Sequence, residues 1–290
     1  QQCRVATRGV GLMAVSVSPS RFFGQAPVEK FGATVEIGGI PILLQTDDVD
    51  FRTLIEQRYA GFVNSSSTPN CQLEIHLHPP ERHPVEDVRV SRSGPVWRIA
   101  RGDFRAEFDL RSRRGWVRQS PNPYSLDAVL RIIHSLVLAE EGGFLVHAAS
   151  AVRHGRAFVF AGVSGAGKTT MSRLAPLDAA LLTDEISYVR RSGCDYYAYG
   201  TPFAGELARV GANLKAPLAA LYFLEKGPDN RIVPVSGPYA VRALLRNILF
   251  FAHDSDLVKR VFEGAIEFVS RVPVAQFVFA PDERAWELIR

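Results

Sequence analysis

The stretch 157–169, AFVFAGVSGAGKT, decides the fold, because it joins an apolar run to a glycine-rich loop that ends in Lys-Thr. The run from Ala157 to Ala161 predicts a buried strand, and the loop from Gly162 to Thr169 matches the pattern G-x-x-x-x-G-K-[ST]. Residues 170–174 favour a helix. Glycine lets several backbone N–H groups turn toward one anion, and the start of a helix adds partial positive charge. The stretch therefore predicts a phosphate-binding P-loop.

The P-loop pattern also predicts which residues would hold a nucleotide and its metal ion. The predicted cofactors are a nucleotide and Mg²⁺. Lys168 would reach the β- and γ-phosphates, and the Thr169 hydroxyl would ligate the metal. The residues expected to bind the cofactor are Gly162, Ser164, Gly165, Ala166, Gly167, Lys168, Thr169 and Thr170.

Residues 1–122 form the first of two predicted domains. Two apolar runs flank Gly38-Gly39, which indicates a hairpin, and an amphipathic helix is expected from Val49 to Tyr59. Alternating patterns predict strands at 71–77, 96–100, 104–109 and 116–118, with turns at 101–103 and 113–115. We expect an α+β domain with mainly antiparallel strands, which recognises an acceptor or mediates assembly.

Residues 123–290 form the second predicted domain, and Pro121-Asn122-Pro123 marks the boundary. Ser125 is expected to cap a long helix that stops at Gly142-Gly143. Strands are predicted at 144–152, 157–161, 180–183, 218–224 and 274–279, and helices at 238–252 and 256–270, with a last short helix begun by Pro281. This succession predicts an α/β fold.

Two places near the P-loop carry groups that a phosphate site would need. Asp184-Glu185 follows an apolar strand, where an acidic residue of a P-loop enzyme belongs, although a solvated turn or a helix cap has the same pattern. His147 lies within an apolar strand, and a lone histidine there is more often a satisfied core residue. A pairing of its strand with the P-loop strand would bring the imidazole near the phosphates.

Taken together, these segments resemble the catalytic domain of the HPr kinase/phosphorylase family. The residues that carry the resemblance are Leu145-Val146-His147-Ala148-Ala149-Ser150, the P-loop and Leu182-Thr183-Asp184-Glu185. The kinase core of that family is in turn similar to phosphoenolpyruvate carboxykinase. The segment from Gly200 to Glu206 also looks like part of the HPr-kinase-like proteins outside sugar-transport regulation. The resemblance covers about residues 125–280 and implies a P-loop kinase core of this type.

The resemblance implies a role for each matching residue. Asp184 is the general base that takes the proton from an acceptor serine hydroxyl. His147 lies beside the γ-phosphate and supports the acid–base work, and Lys168 binds the phosphates. The predicted metal-site residues are Thr169, Glu185 and Glu206.

This chain departs from the family in ways that limit what the resemblance implies. The family's acidic pair is Asp-Asp, whereas this chain has Asp184-Glu185, and the glycine-rich signature linked to phosphorolysis is not recognisable. We therefore expect neither phosphorolysis nor recognition of HPr itself. Typical members form hexamers, but their N-terminal half has no match here, so a homo-oligomer is left open. Candidates for an arginine that assists transfer are Arg209, Arg231, Arg242 and Arg246.

Composition and charge are those of a globular protein with one basic segment. The chain is 47% hydrophobic and 22% charged, and no apolar stretch is long enough for a transmembrane helix, so we expect no membrane partner. Three widely separated cysteines predict no disulfide framework, and a reducing cytoplasm is the simplest location. The net charge is +4, and arginines are concentrated at 89–118, interleaved with Trp97 and Trp116.

The basic segment 89–118 has three interpretations. A nucleic-acid surface has this composition, and so has a surface that docks an acidic protein. The arginines fall in turns and at alternating positions, however, which favours the solvated face of antiparallel strands. Nucleic acid is therefore not the expected partner.

Several histidines lie outside these segments. His76 and His78 share one face of a predicted strand, but a third ligand is evident only at His83, so we expect no metal there. His134 and His253 are expected on helices in structural roles.

The expected function is that of an ATP-dependent kinase, a phosphotransferase. It would transfer the γ-phosphoryl group to the serine hydroxyl of a protein, a peptide or free serine, with Asp184 as the base, because a serine hydroxyl is a weak acid. One alternative is a small-molecule kinase or carboxykinase-like enzyme. Another is a nucleotide-binding partner protein that senses ATP without transfer, and a weaker one is nucleic-acid binding through 89–118.

Overall fold

The computed structural model describes residues 29–79, 87–203, 205–207 and 210–290, which form two mixed β-sheets with helices packed between and beside them. The first sheet consists of β1 (Phe31–Ile37), β2 (Ile40–Thr46), β3 (Cys71–Leu77), β4 (Arg89–Ser93), β5 (Val96–Arg101), β6 (Phe104–Asp109) and β7 (Arg114–Gln119). Its order is β1-β2-β3-β7-β6-β5-β4, and helix α1 (Val49–Arg58) connects β2 to β3. The pairs β2–β3 and β3–β7 are parallel, and the other neighbours are antiparallel.

The hairpin at Gly38-Gly39 is confirmed, but the turn predicted at 113–115 is wrong. Strand β7 already begins at Arg114, and the residue with a left-handed backbone is Arg113, with φ 60°. Gly115 lies within the strand because a Cβ there would stand 2.2 Å from the carbonyl oxygen of Glu107 on β6. The glycine therefore allows a close approach between two strands rather than a turn.

Helix α2 (Pro123–Glu141) follows the first sheet, and its cap differs from the prediction. The side chain of Asn122, not Ser125, accepts the N–H of Tyr124, because Asn122 is the last residue with an extended backbone before the helix. Ser125 lies in the first turn, where its hydroxyl donates to Asp103 Oδ2 at 2.6 Å.

The second sheet contains the P-loop strand. Its strands are β8 (Phe144–Arg153), β9 (Arg156–Ala161), β10 (Ala179–Thr183), β11 (Ile186–Ser192), β12 (Asp195–Tyr199), β13 (Lys215–Lys226), β14 (Arg231–Pro234) and β15 (Val274–Phe279). The path is β10-β8-β11-β12-β13-β15-β14, and β9 pairs with β8 and β13. The helices are α3 (Lys168–Arg173), α4 (Gly237–Asn247) and α5 (Ser255–Arg271), followed by a 3-10 helix, Glu283–Leu288.

The chain leaves helix α4 earlier than predicted. Ile248 forms an antiparallel bridge with Val146, and the N–H of Leu249 donates to Leu145 O, so residues after Asn247 extend along β8 instead of continuing the helix. His253 consequently lies before α5 and not on a helix. The final helix is capped by Asp282 rather than begun by Pro281.

One hydrophobic core joins the two halves of the chain. Helix α2 contributes most of its buried side chains to the same cluster as β1–β3 and β5–β7, and this cluster also takes in Tyr188 from β11. Arg58 on α1 forms a salt bridge with Asp127 on α2 at 2.5 Å, and Tyr59 donates to the same carboxylate at 2.7 Å. The predicted boundary between residues 122 and 123 stays a prediction, but the halves pack against each other across α2.

The buried His134 predicts a specific pH dependence of stability. It lies on α2 with Nδ1 3.2 Å from the hydroxyl of Tyr188, and burial, with a smaller contribution from Arg190, lowers its pKa to about 3. Below about pH 6.5 this histidine takes up a proton in the unfolded chain but stays neutral in the folded chain. The free energy of unfolding therefore decreases as the pH is lowered, by up to about 1.4 kcal/mol per pH unit.

We expect His134→Gln, which keeps a hydrogen-bonding group but cannot be protonated, to flatten this dependence between about pH 6.5 and pH 4. Denaturant unfolding at several pH values measures it, with the exposed His253→Gln as the control variant. Equal slopes in the His134 variant and the unaltered protein would show that another group causes the pH dependence.

Candidate functional site

The P-loop borders a cavity of about 410 Å³, which we call the P-loop cavity. It brings together most of the residues that the sequence singled out. The lining residues are His147, Ser164, Gly165, Gly167, Lys168, Thr169, Thr170, Asp184, Glu185, Glu206 and Lys226. Gly162 and Ala166, which were also predicted to bind phosphate, belong to the same loop but do not line the cavity.

The pairing of β8 explains this convergence. Strands β9 and β10 both run antiparallel to β8, so they run in the same direction and end at the same edge of the sheet. The P-loop follows β9 and Asp184 follows β10 at that edge. The predicted pairing of the His147 strand with the P-loop strand is confirmed, because Ala148 on β8 pairs with Ala161 on β9. His147 itself pairs with Ile186 on β11, on the other side of β8.

Gly167 is needed where the loop turns into helix α3. Its φ is 114°, a conformation that side chains other than glycine rarely adopt. A Cβ at this position would also lie 2.4 Å from the ring of Phe279, at the end of β15. The glycine therefore permits both the turn and the close packing of the loop on the neighbouring strand.

Lys168 is buried and bound to its own loop. Its ammonium group donates to Gly162 O at 2.8 Å and to Val163 O at 3.2 Å. Burial lowers the pKa of Lys168 below the usual lysine value, and the nearby carboxylates Glu185 and Glu206 oppose this shift. The cation thus lies beside the cavity, held by two carbonyl groups.

Asp184 anchors the segment 205–207 to the end of β10. Its carboxylate is buried, with Oδ1 accepting the N–H of Gly205 and Oδ2 the N–H of Leu207, both at 2.9 Å. A Cβ at Gly205 would lie 2.9 Å from Asp184 Oδ2 and 2.8 Å from Glu185 Cβ, so only glycine fits this approach. The anchor places Glu206 over the P-loop, where its Oε2 accepts the Thr169 hydroxyl at 3.0 Å.

Besides Lys168, two titratable groups of the cavity have altered pKa values. Burial raises the pKa of Glu185, and Arg131 opposes this while the carboxylate of Asp184 adds to it. Burial and the neighbouring Lys168 lower the pKa of His147, so its imidazole is neutral at neutral pH. The cavity therefore combines cations, carboxylates and an uncharged imidazole.

Two basic residues near the site were not predicted from the sequence. Lys226 is the last residue of β13, which runs parallel to β9 and ends at the same edge. The charged pair Glu225-Lys226 follows the predicted strand 218–224, and this common pattern does not distinguish Lys226 from a solvated strand end. Arg131 lies on α2 with its guanidinium 4.9 Å from the ring centroid of Phe203, and a single arginine on a helix gives no such pattern.

The arginines proposed from sequence do not line the P-loop cavity within the described residues. Arg231 lies 4.0 Å from Asp229, and Arg242 and Arg246 border a different groove between α4 and α5. Arg209 lies outside the described residues, and so does His83. Across the described part of the chain, no group of three or more His, Cys, Asp and Glu side chains could hold a metal ion, and His76 lies next to Glu74.

Carboxylates neutralise several arginines of the basic segment 89–118. The pairs are Arg92 with Asp254 and Asp256, Arg98 with Glu107, Arg101 with Asp103, and Arg113 with Glu140 and Glu141. Ion pairing of this kind weakens the field that a nucleic acid would experience. None of the helices in the described residues is both long and apolar enough to cross a membrane.

Comparison with known proteins gives one result for the second half of the chain. A search of curated proteins found no match. The family described as "SynChlorMet cassette protein ScmC" matches residues 124–289, which is more than half of the chain. The matched region begins in α2, ends at the last residue but one, and contains every residue that lines the P-loop cavity. This chain therefore belongs to the family described as SynChlorMet cassette protein ScmC.

Proposed function

We propose that this chain is an ATP-dependent kinase of the HPr-kinase-like type, which transfers the γ-phosphoryl group to a serine hydroxyl. The acceptor would be a protein, a peptide or free serine. The observation that carries the proposal is the composition of one cavity. A P-loop, two lysines, a neutral histidine and three carboxylates meet there, and they come from five separate segments of the chain.

The loop fits the phosphate tail of a nucleotide. Among the described residues, none accepts a backbone hydrogen bond from the N–H groups of Ser164, Gly165 or Gly167, although these residues line the cavity. Unpaired N–H groups on a glycine-rich loop complement an anion. Lys168 and Lys226 add positive charge, and Lys168 reaches a ligand by exchanging its two carbonyl acceptors for phosphate oxygens.

The carboxylates fit a magnesium ion that accompanies the nucleotide. Thr169, Glu185 and Glu206 would hold it, since Mg²⁺ prefers hard oxygen ligands and takes the remainder from phosphates and water. Bound there, the ion would neutralise negative charge that develops on the phosphates during transfer. The hydrogen bond between Thr169 and Glu206 shows that their oxygens already lie within 3.0 Å of each other.

Asp184 is the residue best suited to take the acceptor's proton. Each of its oxygens accepts one backbone N–H and keeps a second lone pair, so the carboxylate is oriented but not saturated. In the proposed step the serine oxygen bonds to the γ-phosphorus, the bond from that phosphorus to the bridging oxygen of ADP breaks, and the serine proton passes to Asp184. The neutral His147 can offer a hydrogen bond without repelling Lys168.

A nucleotide-binding protein without transfer activity is the second candidate. The observation in its favour is the anchoring role of Asp184, because two backbone hydrogen bonds explain a buried carboxylate without any catalysis. The two functions predict different results when the anchor and the carboxylate are altered separately.

We expect Asp184→Asn to lower the rate of phosphoryl transfer at least about 100-fold while ATP still binds, because the amide cannot accept the acceptor's proton. The matched control is Leu207→Pro, which removes one of the two N–H groups that anchor the segment but keeps the Asp184 carboxylate. Transfer is measured with labelled ATP against free serine, serine-containing peptides and small hydroxyl metabolites, and ATP affinity is measured by calorimetry. If both variants lose transfer activity equally, Asp184 acts only as an anchor. If the unaltered protein transfers phosphate to no acceptor, the nucleotide-binding protein without transfer activity is favoured.

Lys226 is expected to contribute to nucleotide binding. Lys226→Met should weaken the affinity for MgATP about tenfold, because a charge-assisted contact to phosphate is lost. Lys215→Met is the matched control, since Lys215 is the first residue of the same strand and lies outside the cavity. Calorimetric titration with MgATP distinguishes the two variants, and an unchanged affinity in Lys226→Met would remove this residue from the site.

A further inference from the structure

An apolar groove lies between helices α4 and α5, away from the P-loop cavity. It has a volume of about 890 Å³, and it shares no lining residue with the P-loop cavity. Its floor and walls are the apolar side chains of Pro238, Val241, Leu245, Phe262, Ile266 and Val269. We call it the α4–α5 groove.

Three apolar side chains of α5 remain exposed beside the α4–α5 groove. Val258, Phe262 and Ile266 are 46%, 47% and 45% exposed, and they are spaced four residues apart, so they form one row along the helix. Single exposed apolar residues are common on protein surfaces, but a continuous row beside a groove indicates an interaction site.

The rim of the groove carries positive charge that the described chain does not neutralise. Arg242 and Arg246 are exposed, lie one turn apart on α4 and border the groove, and neither forms an ion pair with any described residue. Two acidic residues of α5 pair with other basic side chains instead. Glu263 pairs with Lys259, and Glu267 pairs with Arg191 and Arg271.

We propose that the α4–α5 groove binds an amphipathic helix of a protein partner, with an apolar ridge that enters the groove and acidic residues along one flank. A groove between two helices accepts the apolar face of a third helix through side chains at i, i+3, i+4 and i+7. The two arginines of the rim favour a partner helix whose flanking residues are negatively charged. This interaction does not depend on the proposed phosphoryl transfer, because the two cavities are lined by different residues.

The test uses the full chain and two designed, fluorescently labelled peptides of about 18 residues, which form about five helical turns. Both carry the same leucine ridge, and one has glutamates on its flank whereas the other has lysines. We expect fluorescence anisotropy to show at least tenfold tighter binding of the glutamate peptide. The double variant Arg242→Glu with Arg246→Glu should reverse this preference, and Phe262→Gln should weaken both peptides at least tenfold.

Arg260→Glu is the matched control, because Arg260 is exposed on the same helix but does not line the groove. It should bind both peptides as the unaltered protein does, and circular dichroism should show that every variant is folded. The proposal is overturned if neither peptide binds at up to about 1 mM, or if the two bind equally well. It is also overturned if sedimentation shows a dimer that Phe262→Gln dissociates, because a second copy of the chain would then occupy the groove. Binding of the protein to phosphatidylserine vesicles that requires Phe262, without binding of either peptide, would overturn it as well.

Discussion

Strand β8 pairs with β9 on one side and with β10 and β11 on the other, and these pairings determine where the polar residues of the cavity lie. Both β9 and β10 run opposite to β8, so the loops that follow them emerge at one edge. His147 lies on β8 at the same level, opposite Ile186. A slip of β8 by one residue would turn His147 toward the other face and destroy the arrangement.

The buried carboxylate of Asp184 extends this arrangement beyond the sheet. Burial of a charged group is unfavourable unless hydrogen bonds replace its lost hydration, and the N–H groups of Gly205 and Leu207 supply them. On the other side of this segment, Arg58 on α1 donates to Pro202 O at 3.1 Å while it pairs with Asp127. The first half of the chain therefore helps to hold the segment that carries Glu206.

Sequence patterns predicted the parts of the site that depend on local chemistry. The P-loop, the strand before it and the acidic pair after β10 were identified because glycine, lysine and apolar periodicity act over a few residues. Lys226 and Arg131 were missed because their positions depend on pairings between distant segments, β13 with β9 and α2 with Phe203. The early end of α4 was missed for the same reason, since Ile248 pairs with Val146, about a hundred residues away in sequence.

The distribution of ion pairs shows why a net charge of +4 does not locate a binding surface. Sequence alone drew attention to 89–118, where arginines are densest, yet carboxylates of the folded chain face several of them. Arg242 and Arg246 are fewer and less conspicuous, but no described carboxylate faces them, and apolar side chains lie beside them. A binding partner is attracted by the charges that no ion pair within the folded chain neutralises. Exposed ion pairs contribute little affinity, whereas burial of apolar side chains in an adjacent groove contributes more. The folded arrangement therefore favours the α4–α5 groove over the basic segment as the candidate docking surface.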